Sequence, residues 1–240
     1  MDPFNAIAAA VAVLFIATLA RSTFGFGDAL IAMPLLTLLL GIRSATPIIA
    51  LIGSSVTLLI VWRSHARIDL AAIKRLTISA LLGIPLGIWL FTALPAALVT
   101  TALGISLILF GAYALLAPTA AVLSDARWAY PFGFVAGGLG GAYNMSGAPV
   151  VVYGTLRRWP PAEFRASIHG FYLPTGLVTL AGHGIGGLWT DTVWQITLAA
   201  LPLAVVAVLL GERLNRAIPS EKFAPLIHTS LILLGAALLF

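Results

Sequence analysis

Apolar positions in this chain run on instead of alternating. Long apolar stretches cover residues 76–93, 98–117, 167–181 with its flanks, 193–210 and 223–240. Each approaches or reaches the roughly 17 to 25 residues that carry an α-helix across a hydrocarbon core. A membrane-spanning strand needs only about ten residues and an alternating pattern, so these segments predict helices. Two further apolar runs are broken from within. Residues 6–40 are interrupted by TFGFGDALIAMP, which sets two glycines, an aspartate and a proline just after Arg21. Residues 131–156 are interrupted by GGLGGAYNMSGAPVVVY, again rich in glycine and again containing a proline.

The two breaks correspond. Aligning Pro34 with Pro149 pairs Gly25 with Gly140 and Arg43 with Arg158. After each break come a short apolar piece, a basic turn (GIRSATP; RRWPPAE) and three longer apolar segments, the first of them residues 46–62 in the amino-terminal half. The expectation is an all-α polytopic membrane protein built as two repeats, residues 1–117 and 131–240, joined by a linker at 118–130. Residues 34–41 as helix would span only about 12 Å of a core about 30 Å thick. Each break therefore predicts a re-entrant hairpin of half-helices, tolerated at depth only where it is buried in protein or lines a polar cavity. Kinked full crossings, giving eight spans in parallel repeats, are the other arrangement open at this point.

Composition fixes the solvent. Hydrophobic residues make up 60% of the 240 and charged residues only 9%, against roughly 25% charged in a soluble domain. The lipid bilayer is thus the chain's surroundings, and a homo-oligomer is compatible with the sequence. The amino-terminal stretch reads as part of the mature chain, since Asp2 stands where a signal peptide carries basic residues. Polar connections are too short for an appended soluble domain.

The net charge of +5 reports orientation and predicts no nucleic-acid partner, because Lys and Arg collect in cytoplasmic loops. Arg63, Arg67, Lys74 and Arg75 crowd one connection, Arg157, Arg158 and Arg165 a second, and Arg213, Arg216 and Lys222 a third. GHGIGGLWTDT, residues 182–192, has no Lys or Arg and should be external. Threading these sides makes each half one hairpin plus three crossings. That number is odd, so the repeats are inverted and both termini are external. Trp62, Trp89, Trp159, Trp189 and Trp194 lie near predicted span ends as interfacial anchors.

A half-helix that starts at a break presents unpaired N–H groups and the positive end of its dipole. Two such ends brought together near the midplane would suit a small anionic substrate. Gly25, Gly27, Gly140, Gly141 and Gly147 would let it touch main chain, although small residues also serve close helix crossing. Proline suits the first helical position, and Asp28 and Ser146 are cap candidates. Asn144, Ser146 and the hydroxyls of Thr46, Ser54, Ser55 and Thr57 add donors. Arg165, His169 and Tyr172 share one helix face at i, i+4 and i+7.

Arg165 equally fits snorkelling and His169 a carbonyl bond in the core. Asp28 and His169 are the proton-coupling candidates. With no cysteine, thiolate metal sites and cysteine nucleophiles are excluded. No nucleotide-binding loop, HExxH or nucleophile elbow occurs, so neither a cofactor nor a metal is expected, and a membrane-embedded enzyme is disfavoured.

These motifs resemble the TauE/SafE-type sulfite exporters over nearly the whole chain. Asn144, Ser146, Gly147, Pro149 and Tyr153 match that family's asparagine, glycine-proline and tyrosine pattern, and Phe164, Arg165, Ala166 and Ser167 its arginine-containing segment. Gly25, Gly27 and Pro34 match in the first repeat. Asp28 and Ala29 stand where many members continue the glycine run, and Ala148 replaces a frequent second proline. The resemblance implies a secondary transporter of sulfite, sulfonates or related anions in the bacterial inner membrane. A passive anion channel and a carboxylate transporter are the nearest alternatives.

Overall fold

The computed structural model describes residues 3–63, 70–116, 122–217 and 224–239. Every regular element among them is helical. In chain order these are α1 (Pro3–Phe24), α2 (Asp28–Leu40), α3 (Ile42–Arg63), α4 (Leu70–Ala93), α5 (Ala96–Leu116), α6 (Ala129–Tyr143), α7 (Gly147–Leu156), α8 (Pro161–Ile185), α9 (Asp191–Ala217) and α10 (Ala224–Ala237), with one 3₁₀ turn at Ala126–Trp128. Five are long and apolar enough to cross a membrane: Asn5–Phe24, Ile42–Arg63, Ile73–Ala93, Ala96–Leu116 and Asp191–Asn215. The long apolar segments read from the sequence thus fold as α3, α4, α5, α8, α9 and α10. Their expected ends at 117, 223 and 240 lie outside the described residues.

Helix pairing repeats between the halves. α1 packs along α9 as α4 packs along α6, and α3 meets α9 as α8 meets α4. α3 also packs on α8, and α5 on α10. Exchanging the first five helices with the last five maps each of these pairs onto another or onto itself.

Small residues make the closest crossings possible. A Cβ on Gly133 would lie 2.8 Å from the Leu76 Cα, and one on Gly137 2.7 Å from the Ala80 Cα. Gly141 continues this row against α4, and from the other helix a Cβ on Gly87 would lie 2.9 Å from the Gly138 carbonyl carbon. Gly104 and Gly235 approach each other across α5 and α10 in the same way. Between two lipid-soluble surfaces this close fit is the main source of helix association. Several glycines of the second break are therefore packing residues.

α6 and α7 form a hairpin. The Leu123 N–H donates to the Leu156 carbonyl at 2.9 Å, and Arg157 Nη1 donates to the Leu123 and Ser124 carbonyls, each at 2.8 Å. The end of α7 thus returns to the segment that leads into α6. The first hairpin departs from expectation. α1 has 22 residues, about 33 Å of helix, and is no half-helix. The arms with 13, 15 and 10 residues (α2, α6, α7) are short. Hydropathy shows where a run is broken but not how much of it lies before the break.

The prolines do not start the short helices. Pro34 is inside α2, six residues after Asp28, and Pro149 is the third residue of α7. The turns are made by positive-φ residues instead: Gly25 at 93°, Gly27 at 103° and Asn144 at 57°. Glycine adopts this region without a Cβ penalty, and asparagine is the side chain that best tolerates it.

Candidate functional site

Both breaks open on one cavity of about 50 Å³, room for roughly four water-sized groups. α3 contributes Ile49, Ala50, Gly53, Ser54 and Thr57; α8 contributes Tyr172, Thr175, Gly176 and Thr179. Arg21 and Asp28 come from the first break, Asn144 and Ser146 from the second, and Ile84, Gly137 and Gly140 complete the wall.

Arg21 is the cation of this wall, and its place is tightly determined. Its side chain is 5% exposed and pairs with the Asp28 carboxylate, Nη1 to Oδ2, at 2.6 Å. Nη1 also donates to the Gly53 carbonyl at 3.2 Å, and Nη2 donates to the Thr57 hydroxyl at 2.5 Å. That hydroxyl in turn donates to the Gly53 carbonyl at 2.7 Å. The guanidinium carbon lies 4.7 Å from the centre of the Tyr172 ring, a cation–π contact that gains strength away from water. Arg21 Nε is buried without a hydrogen-bond partner among the described residues.

At the other end, Asn144 Nδ2 donates to the Thr46 carbonyl at 2.7 Å. Thr46 and the Arg21 partners Gly53 and Thr57 are seven to eleven residues apart on one helix, about 10–16 Å at 1.5 Å per residue. The two breaks are therefore staggered along α3 and do not meet at a point. Neither α2 nor α7 has a side-chain cap: Gly27 and Ser146 occupy the N-cap positions without a capping hydrogen bond, and Asp28 is committed to Arg21.

Of the residues singled out in the sequence, Asp28, Ser54, Thr57, Gly140, Asn144, Ser146 and Tyr172 line the cavity; Gly25, Gly27, Thr46, Ser55, Gly141, Gly147, Arg165 and His169 do not. Gly25 leaves space for Arg165, whose Cγ would lie 3.0 Å from a Cβ there, and Arg165 Nη2 donates to the Ser22 carbonyl at 3.3 Å. Arg165 thus ties α8 to the end of α1. A Cβ on Gly27 would meet no atom of the described residues within 4 Å beyond its chain neighbours. Ser55 is exposed and donates to the Leu51 carbonyl one turn back at 2.8 Å. Gly147 faces the Tyr172 hydroxyl. His169 stands behind Tyr172, edge-to-face with the ring centres 6.0 Å apart, and its Nδ1 has no partner among the described residues.

Tyr172 therefore joins the two breaks, its face on Arg21 and its hydroxyl against the start of α7. Sequence reasoning missed Arg21, Gly53, Thr175, Gly176 and Thr179. The last three were within reach, since 175, 176 and 179 extend the helical face already marked by 165, 169 and 172. Arg21 signalled itself as an intramembrane arginine with an aspartate seven residues on.

Five helices long and apolar enough to cross a membrane, packed through glycine crossings around a small cavity at two helix breaks, describe a multi-pass helical membrane protein. The family model for "Sulfite exporter TauE/SafE" matches residues 10–238, both halves and both breaks included, and the chain belongs to that family of membrane transporters. No curated protein and no solved structure matches the chain significantly.

Proposed function

We propose that the chain is a secondary transporter that exports a small sulfur-containing anion, sulfite or an organosulfonate, through the cavity between the breaks. The observation that carries this reading is the cavity wall: one fixed guanidinium, the Asn144 amide and the hydroxyls of Ser54, Ser146 and Thr179 around about 50 Å³. A pyramidal oxyanion has about the four heavy atoms that such a volume takes, and its oxygens accept from N–H and O–H donors. The starts of α2 and α7 add oriented backbone dipoles. Arg21 supplies the formal charge and Arg165 positions the end of α1.

The two halves act as inverted repeats, supported by the exchange-symmetric pairing of α1 to α10 and by the α6–α7 hairpin. Both termini are external in the bacterial inner membrane. The sequence has no nucleotide-binding loop, so an ion or voltage gradient drives transport, with Asp28 and His169 as the proton-handling groups. Flux measured in proteoliposomes across sulfite, thiosulfate, sulfoacetate, taurine and simple carboxylates, each under an imposed pH, voltage or sodium gradient, tests this. Saturable flux of the sulfur oxyanions is expected. A preference for carboxylates would reassign the substrate, and flux without response to any gradient would make the protein a channel.

A further inference from the structure

An ionised carboxylate is an unexpected lining for an anion site, because it repels the ligand in a medium where charge is poorly screened. Among the described residues, Asp28 and Arg21 are the only charged ones on this cavity. They face each other at 2.6 Å, so the guanidinium that an anion would seek is already taken. We infer that Asp28 holds the place of the transported anion on Arg21, and that anion binding requires the aspartate to leave it. This rests on the anion-transport reading above and names the group that the anion must displace.

The two partners differ in freedom. Arg21 is anchored from three sides: the Gly53 carbonyl and the Thr57 hydroxyl on α3, the Tyr172 ring on α8, and its own helix α1. Asp28 sits in the first turn of α2, next to Gly27, which is left-handed and whose Cβ position meets no described atom within 4 Å beyond its chain neighbours. Its side chain is 16% exposed, against 5% for Arg21. When released, a carboxylate in a first turn remains stabilised by the N-terminal N–H groups of its own helix. The aspartate therefore has a second place to go and the arginine does not. Nε of Arg21, buried and without a partner among the described residues, offers a hydrogen bond that Asp28 leaves unused and an incoming oxyanion can accept.

The pair also sets the charge of the ligand. Arg21 and Asp28 sum to zero, so a bound monoanion leaves one net negative charge in the cavity and a dianion leaves two. A singly charged oxyanion head is admitted in preference to a dianion of similar size.

The test is equilibrium binding of methanesulfonate to the purified full-length protein by titration calorimetry, with sulfate as the dianion. Asp28→Asn should bind methanesulfonate at least tenfold more tightly than wild type, because the competitor has lost its charge. Arg21→Gln should bind at least tenfold more weakly. The double variant Arg21→Gln/Asp28→Asn, which removes both charges and keeps both shapes, should fold and bind no better than Arg21→Gln alone. Sulfate should bind wild type more weakly than methanesulfonate does.

Equal or weaker binding by Asp28→Asn overturns the inference. If that variant is unstable without ligand, methanesulfonate must raise its melting temperature by more than it raises that of wild type; an equal or smaller rise overturns the inference as well. Binding to wild type that Asp28→Asn does not strengthen leaves the transport reading standing and sinks only the displacement. Failure of all four proteins to bind sinks both.

Discussion

Gly137 and Gly138 are neighbours in one glycine-rich motif, yet the structure gives them opposite fates. A Cβ on Gly137 would lie 2.7 Å from the Ala80 Cα and 2.8 Å from the Ala80 carbonyl carbon, where ordinary contact begins at 3.4 Å. The obstacle is backbone, so no side chain can turn away, and α4 must retreat by at least about 0.7 Å, the difference between contact and 2.7 Å. That retreat also opens the crossings at Gly133 and Gly141, one turn to either side on the same face.

Overpacking of this kind costs about 1–3 kcal/mol, and the rigid obstacle places Gly137→Ala at the upper end, about a hundredfold in the unfolding equilibrium at roughly 2.8 kcal/mol. Gly138→Ala meets nothing closer than the Gly83 carbonyl at 4.0 Å and gains helix propensity of up to about 1 kcal/mol, so it should be neutral or stabilising. Reversible unfolding in mixed dodecyl maltoside and SDS micelles, followed by circular dichroism, gives both numbers. Equal destabilisation by the two substitutions, or none by Gly137→Ala, would refute the assignment of this glycine row to the α4–α6 crossing.

The absence of native cysteine makes topology directly readable. Single cysteines at Arg43 and Gly184 should react with an impermeant thiol reagent from outside, and those at Ser64, Ser124, Arg157 and Asn215 should not; labelling of Ser124 and Arg157 from opposite faces would contradict the hairpin. Gly147→Ala drives a Cβ into the Tyr172 hydroxyl, with the ring Cζ only 3.3 Å away, and should weaken methanesulfonate binding at least tenfold while the protein still inserts. Wild-type affinity there would detach the start of α7 from the site. Asp28→Asn or His169→Gln should abolish anion accumulation driven by a pH gradient but preserve anion-for-anion exchange; accumulation that follows voltage or sodium alone would remove both residues from the coupling.

The long helices were legible because a run of about twenty apolar residues leaves few other structures in a bilayer. Both breaks were legible as well, since Gly25, Gly27 and Asn144 interrupt such runs with residues suited to positive φ. The reach of α1 was not, because an apolar run carries no mark of the depth at which its helix begins. Nor did periodicity choose between the two arginines. Arg165 shares a face with Tyr172, but its side chain turns toward Gly25 and Ser22, whereas Arg21 reaches the cavity only because α1, α3 and α8 converge there. That convergence is tertiary and leaves no local signal. Glycines 133, 137 and 141 recur every fourth residue and meet α4, Gly137 also reaching the cavity wall, while Gly140, off that row, packs on Ser146 there.

The central claim is that the anion passes through the cavity, and filling the cavity tests it most directly. Ala50 is 3% exposed on α3 and lines the cavity. Leucine there adds three carbon atoms to a space of about 50 Å³ that holds roughly four water-sized groups. Radiolabelled sulfite flux is measured in proteoliposomes containing equal amounts of wild type and of Ala50→Leu, the latter first shown to be helical and monodisperse. Saturable wild-type flux that falls at least tenfold in Ala50→Leu is the predicted result; undiminished flux in the filled variant would place the anion's path elsewhere.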